Sequence, residues 1–94
     1  MRIALLTYST KPRGGVVHTL NLAESLVEQG VEVDVWSLAR GGDSGFFRSV
    51  DAAVTQHLVP FDDIPDETVT DRILRSIDAI RNAFDPSDYD IVHA

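Results

Sequence analysis

The chain opens with an unbroken apolar run that leads through a glycine pair into a helical pattern. Arg2–Tyr8 is apolar on both faces, which is typical of a central strand in a parallel sheet. Ser9–Gly15 is rich in turn-forming residues, and Gly15–Gln29 then places apolar side chains at helical spacing. Gly30 stands where a helix often ends in a left-handed residue. The first third of the chain therefore predicts a strand, a loop and a helix.

The rest of the chain predicts three further strands and a second helix. The strands are expected at Val31–Leu38, Val54–Val59 and Asp90–Ala94, and the helix at Asp66–Phe84. Ala39–Gly45 is expected to be a mobile loop. With right-handed crossovers, the order β-α-β-β-α-β gives a Rossmann-like, doubly wound α/β fold. We expect a four-stranded parallel sheet in the order 3-2-1-4 with helices on both faces and ligands at the carboxyl ends of the strands.

The second predicted helix carries an apolar stripe. It consists of Val69, Ile73, Ile77, Ile80 and Phe84, with Leu74 beside it. A stripe at this spacing is typical of a helix packed against a sheet, so both long helices are expected to pack on the sheet faces.

Composition excludes several classes of function. Fifteen acids against eight bases give a net charge of −7, which argues against nucleic-acid binding because phosphate contacts need clustered bases. The absence of cysteine and the wide spacing of three histidines make a metal site unexpected. No apolar run reaches the roughly 18 residues of a membrane span, and the run after Arg2 is too short for a signal peptide. A cytoplasmic protein is expected.

The loop after the first strand is the candidate binding site. Gly14 and Gly15 allow a ligand to approach the backbone, and the start of the helix presents free N–H groups. Lys11 and Arg13 add positive charge, so a phosphate or polyhydroxyl ligand is expected at residues 13–16. The alternative is an ordinary turn with solvated bases. His18 follows Gly15 by three residues, so it either faces this loop or is an ordinary core or surface histidine.

Other motifs are absent or give weaker indications. The loop is neither a P-loop nor a G-x-G-x-x-G fingerprint, and Trp36 to Leu38 occupy the place of a ribose-binding acid. Asp34 comes too early for that role and is expected to point off the sheet. His93, near the carboxyl end of the last strand, is a candidate catalytic residue, whereas His57 receives no role. The acids of residues 62–71 are expected to form a solvated turn and a helix start.

Three segments together resemble a known family. They are the first strand with its Gly14-Gly15 loop, the sequence VVHTLNLAESLVEQGVEVDV, and the final DYDIVHA. They resemble the N-terminal domain of GT-B glycosyltransferases, in particular the retaining class called family 4. The resemblance covers most of residues 1–38 and returns at 88–94. One departure is that two residues separate Gly15 from His18, where the family commonly has three.

The resemblance implies two facing Rossmann-like domains, the first binding the acceptor and the second holding a nucleotide-diphosphate sugar as donor. Residues 1–94 would be the N-terminal part of the acceptor-side domain, a fragment inactive alone because the donor-binding domain is absent. Gly14 and Gly15 match the glycines that approach the donor phosphates, and His18 matches a helix histidine of the family. His93 matches the first histidine of a Val-His-Ala-His type element. No metal and no cofactor other than the donor is implied.

Two alternatives remain open from the sequence. Thr7-Tyr8-Ser9-Thr10 is similar to the hydroxyl-rich phosphate loop of a flavodoxin-like module that binds flavin or phosphate. A non-catalytic interaction domain is the other alternative. A fragment ending in strand four would expose an unpaired edge, so self-association of the fragment is also expected.

Overall fold

The computed structural model describes residues 1–40 and 45–94, which form one sheet with a helix on each face. The elements in chain order are β1 (Arg2–Thr7), α1 (Gly14–Glu28), β2 (Glu32–Ala39), β3 (Thr55–Pro60), α2 (Val69–Ala83), a short 3-10 helix (Pro86–Asp88) and β4 (Ile91–His93). All four strands are parallel and lie in the order β3-β2-β1-β4, which confirms the predicted fold class and strand order.

The register brings the carboxyl ends of the strands to one edge of the sheet. Leu5 of β1 pairs with Val35 on one side and with His93 on the other. Further along the strands, Ala39 pairs with Pro60. The loop after β1 and the starts of the segments after β2 and β3 therefore meet at this edge, where ligands of parallel sheets bind.

The α1 face of the sheet holds the main hydrophobic core. It is formed by Ile3, Leu5, Val16, Leu20, Ala23, Val33, Val35 and Val54. The helix ends as predicted, because Gly30 takes a φ of +83° that favours glycine. Its N–H donates to the carbonyl of Val27, and the N–H of Val31 donates to the carbonyl of Leu26, which together form a Schellman motif.

The α2 face is covered only in part. Ile80 is buried against Leu38 and Phe61, and Phe84 packs beside them. The earlier part of the predicted stripe is not buried: Val69 is 75% exposed, Ile73 53% and Leu74 56%. The sequence pattern correctly gave a helix with an apolar side, but the sheet covers only the C-terminal half of that side. The helix is also shorter than predicted, because Thr68 caps it by accepting a hydrogen bond from the N–H of Asp71.

Asp34 is buried, and the prediction that it points off the sheet is wrong. Its Oδ2 atom accepts a hydrogen bond from the hydroxyl of Tyr89 at 2.7 Å and lies 3.0 Å from His57 Nε2. Arg2 Nη2 donates to the same oxygen at 3.3 Å. These partners offset the cost of burying a carboxylate, so Asp34 is a structural residue on the α2 face of β2.

The loop predicted after the second strand is only partly covered by the described residues. Ala39 belongs to β2 rather than to a loop, and residues 41–44 of the loop predicted at Ala39–Gly45 lie outside the described residues.

In the part of the chain that is described, no helix has the length and apolar character needed to cross a membrane. The cytoplasmic location and the self-association predicted from the sequence stay predictions.

Candidate functional site

The loop after β1 is anchored by hydrogen bonds to its neighbours. Ser37 on β2 donates its hydroxyl hydrogen bond to the carbonyl of Ser9 at 3.0 Å. The N–H of Lys11 donates to Ser9 Oγ at 3.1 Å, and the N–H of Phe47 donates to the carbonyl of Thr10 at 2.8 Å. Thr10 is itself buried. These contacts fix the path of the backbone between the sheet and the first turn of α1.

The N-terminus of α1 is open toward this loop. Arg13, the residue before the helix, is extended, and no side chain caps the first turn. The first turn also holds no acid. The amides of Gly14, Gly15 and Val16 have no partner within the helix, so they carry the positive end of the helix dipole. A Cβ at either glycine would meet open space, so neither glycine is required by packing and both leave the backbone accessible.

Three clefts surround the carboxyl ends of the strands, and Tyr8 lines all of them. The first, which we call the basic cleft, has a volume of about 410 Å³. It is lined by Tyr8, Ser9, Thr10, Lys11, Arg13, Leu38 and Arg40. Three of its seven lining residues are cations, in a chain whose net charge is −7. The basic cleft is therefore suited to an anionic ligand.

The second cleft, the histidine cleft, has a volume of about 250 Å³ and lies on the β4 side of β1. It is lined by Leu5, Leu6, Thr7, Tyr8, Gly15, His18, Thr19, Leu22, His93 and Ala94. The structure thus brings His18 and His93 to one cleft although 75 residues separate them in sequence. Imidazole nitrogens can donate or accept hydrogen bonds, so this cleft offers polar contacts without fixed charge.

The third cleft, the apolar cleft, lies between the end of β2 and the first turns of α2 and has a volume of about 410 Å³. Its lining comprises Tyr8, Leu38, Arg40, Phe61, Arg72, Ile73, Ser76 and Ile77. It shares Tyr8, Leu38 and Arg40 with the basic cleft. A ligand in one of these two clefts would therefore lie next to a ligand in the other.

The predicted site residues divide between two of these clefts. Lys11 and Arg13 line the basic cleft, whereas Gly15, His18 and His93 line the histidine cleft. Gly14 lines none of the three clefts, although it lies in the first turn of α1 beside them.

Tyr8 and Arg40 also line these clefts, and neither was predicted from the sequence as part of the site around Gly14 and Gly15. Tyr8 directly follows β1 and Arg40 directly follows β2. The signal that was available is their position after the last residue of neighbouring parallel strands, since those ends meet at one edge.

Ion pairs set the charge around the apolar cleft. Asp63 lies 2.8 Å from Arg72 Nη1 and 3.8 Å from Arg40 Nη1, so one carboxylate serves two guanidinium groups. Arg75 forms a two-bond pair with Glu67 and also lies 4.0 Å above the ring of Phe61. The hydrogen bonds from Arg75 hold the pKa of Glu67 below its usual value. In residues 1–40 and 45–94, no group of three or more metal-ligating side chains is assembled.

The fold and the clefts together define a Rossmann-like α/β domain with a cluster of cations at the carboxyl edge of its sheet. Residues 12–94 match the family described as Glycosyltransferase Family 4, which covers most of the chain. The chain therefore belongs to this family. The match includes Arg13, Gly14, Gly15, His18 and His93 and begins just after Lys11. No curated protein and no solved structure shows significant similarity to the chain.

Proposed function

We propose that this protein transfers a sugar from a nucleotide-diphosphate sugar to an acceptor, as a retaining glycosyltransferase with the GT-B arrangement. Residues 1–94 would form the N-terminal part of its acceptor-side domain, and a second Rossmann-like domain would hold the sugar and nucleoside of the donor. Membership in Glycosyltransferase Family 4 supports glycosyl transfer. It also favours this hypothesis over a flavodoxin-like module or a non-catalytic interaction domain.

The observation that carries the proposal is the basic cleft beside the uncapped N-terminus of α1. Lys11, Arg13 and Arg40 line this cleft, and the first turn of the helix contains no acid that would repel an anion. Helix N-termini bind phosphate groups through their free N–H groups and their positive partial charge. We propose that the diphosphate of the donor binds here, with Lys11, Arg13 and the amides of residues 14–16 neutralising its charge without a metal ion.

The histidine cleft supplies the second part of the proposed site. Gly15 lies in its wall, so the cleft continues from the amides of the helix start toward β4. His18 is proposed to contact a phosphate or hydroxyl oxygen of the ligand. His93 is the candidate for a contact with the reacting groups, since it is the last residue of β4 and faces the same cleft.

An activity assay tests the proposal. Residues 1–94 joined to the proposed donor-binding domain are incubated with a panel of nucleotide-diphosphate sugars, and release of the nucleotide is measured with and without pooled candidate acceptors. We expect release with at least one donor. Replacing Lys11 and Arg13 together by glutamine should lower kcat/KM about tenfold or more, because two charged contacts to the diphosphate are lost. Arg81→Gln, on the exposed side of α2 and outside all three clefts, is the matched control.

Two results would contradict the proposal. One is release from no donor in the panel by the folded protein that contains both proposed domains. The other is a Lys11/Arg13 double variant with the same kcat/KM as the Arg81→Gln control.

A further inference from the structure

The apolar cleft is an unfilled, partly exposed surface beside the proposed donor site. Leu38 and Phe61 form its buried floor, while Ile73 and Ile77 of α2 are 53% and 39% exposed. These two isoleucines belong to the part of the α2 stripe that the sheet does not cover. Large apolar side chains exposed together in a concave surface are typical of a ligand-binding site.

Both charged side chains that line this cleft are cations. Arg40 and Arg72 both line it, and both are paired with the single carboxylate of Asp63. Among the described residues, Arg72 Nη2 is the one buried side-chain nitrogen or oxygen without a hydrogen-bond partner. A buried donor without a partner is costly, so an acceptor group placed beside this guanidinium would be favoured.

We propose that the apolar cleft binds the acceptor, and that the acceptor is an amphipathic small molecule whose apolar chain or ring carries a negatively charged group. This inference rests on the proposed function, because the cleft can be an acceptor site only if the neighbouring basic cleft binds a donor. The apolar part packs between Phe61, Ile73 and Ile77, and the charged group accepts hydrogen bonds from Arg72. Arg75 is not available for this contact, since it is paired with Glu67.

The size and position of the cleft favour a small molecule over a macromolecular surface. Its volume of about 410 Å³ falls within the range of roughly 300–1,000 Å³ that is usual for small-molecule sites. The walls shared with the basic cleft, Tyr8, Leu38 and Arg40, place the occupant beside the proposed diphosphate. A transfer reaction requires this adjacency of donor and acceptor.

A series of alkyl phosphates is the direct test of the apolar contact. Butyl, hexyl, octyl and decyl phosphate, each kept below its micelle concentration, are titrated into the protein and followed by NMR and calorimetry. Burial of each methylene group in the cleft should raise affinity about two- to fourfold until the cleft is full. The amides of Phe61, Ile73 and Ile77 and the methyl groups of the two isoleucines should shift. Inorganic phosphate should bind without moving them.

Matched variants on α2 distinguish binding in the apolar cleft from binding elsewhere on the helix surface. Ile77→Gln should weaken octyl phosphate binding about fivefold or more through the lost apolar contact, whereas Leu74→Gln should not, because Leu74 is exposed on the same helix outside the cleft. Arg72→Gln should weaken it about five- to tenfold through the lost charged contact, with Arg81→Gln as the control. Circular dichroism confirms that each variant is folded.

Three results would overturn the inference: affinity that does not rise with chain length, shifts centred on Leu74 or Val69, or equal loss in cleft and control variants. Binding to anionic lipid vesicles without binding to monomeric octyl phosphate would also overturn it, since it would indicate a membrane surface rather than a small-molecule acceptor. The proposed function is tested separately by diphosphate binding at Lys11 and Arg13. Loss of the alkyl series with diphosphate binding retained therefore removes this inference alone.

Discussion

The indole of Trp36 and the imidazole of His57 stack face to face, with ring centres 4.0 Å apart and 8° between their planes. The two residues are direct partners in the β2–β3 register. The ring of Phe84 packs against the indole at 5.2 Å, and His57 Nε2 also reaches Asp34. These contacts pack the three rings together beside Asp34, so we expect the cluster to stabilise the domain.

Replacing His57 by alanine should destabilise the fold by about 1–3 kcal/mol, through the lost ring stacking and the lost partner of a buried carboxylate. The variant should also change the fluorescence of Trp36, the single tryptophan of the chain. Urea denaturation measures the stability, with the exposed His18→Ala as the control. An unchanged midpoint for His57→Ala would show that the stack makes no net contribution.

Tyr89 predicts a loss of stability at alkaline pH. Burial, followed by the hydrogen bond to Asp34, raises the pKa of the Tyr89 hydroxyl above its ordinary value of 10.0. A raised folded-state pKa gives stability that is complete below the unfolded pKa and is lost as pH rises through the folded one. The free energy of unfolding should therefore fall as the pH rises above about 10. In Tyr89→Phe, the free energy of unfolding should depend less on pH in this range. The same pH dependence in Tyr89→Phe and in the parent would contradict the assignment to Tyr89.

The sequence predicted the parts of the fold that depend on local pattern. Gly30 ends α1 in the expected conformation, and the apolar runs place β1 and β2 correctly within one or two residues. The strand order followed from the handedness of the crossovers, which does not depend on particular side chains. These features are local or are fixed by topology, so one sequence is sufficient to predict them.

Contacts between residues that are distant in the chain could not be predicted from the sequence. Asp34 contacts His57 and Tyr89, which lie 23 and 55 residues further along the chain. Nothing in the local pattern of β2 predicts these contacts. The stripe of α2 shows which side of the helix is apolar, but periodicity cannot show whether a neighbour covers Val69 or Ile73. For the same reason, the separation of the candidate site into a basic cleft and a histidine cleft was not predicted.

Replacing glycines should distinguish effects on ligand binding from effects on the stability of the fold. Gly15→Ala meets open space in the first turn of α1, so stability should stay unchanged or rise by up to about 1 kcal/mol. Binding of a nucleoside diphosphate should weaken, because the methyl group lies beside the amides that are proposed to contact it. Gly30→Ala is the reciprocal control: its φ of +83° makes alanine destabilising by about 1 kcal/mol, with no change in binding. Equal effects of both variants on binding would indicate a general loss of structure.

The ion pair between Glu24 and Arg48 should stabilise the protein above acidic pH. Arg48 makes two hydrogen bonds to Glu24, and together with the N–H of Asp51 they lower the pKa of Glu24 from 4.5. Glu24→Gln should therefore cost about 0.5–1 kcal/mol near neutral pH, and the cost should disappear as the pH falls through the lowered pKa of Glu24. Glu28→Gln, exposed on the same helix, is the control. A cost that is the same at pH 7 and pH 3 would exclude the ion pair as its cause.

An NMR titration of the protein with UDP and GDP shows directly whether the loop after β1 binds a nucleoside diphosphate. The proposed site predicts the largest amide shifts at residues 13–16, smaller shifts at His18, and affinity about five- to tenfold lower in Arg13→Gln than in the parent. Pyrophosphate should move the same amides, because the contact is made to the phosphates. Shifts that leave residues 12–18 unmoved while the protein stays folded would contradict the account.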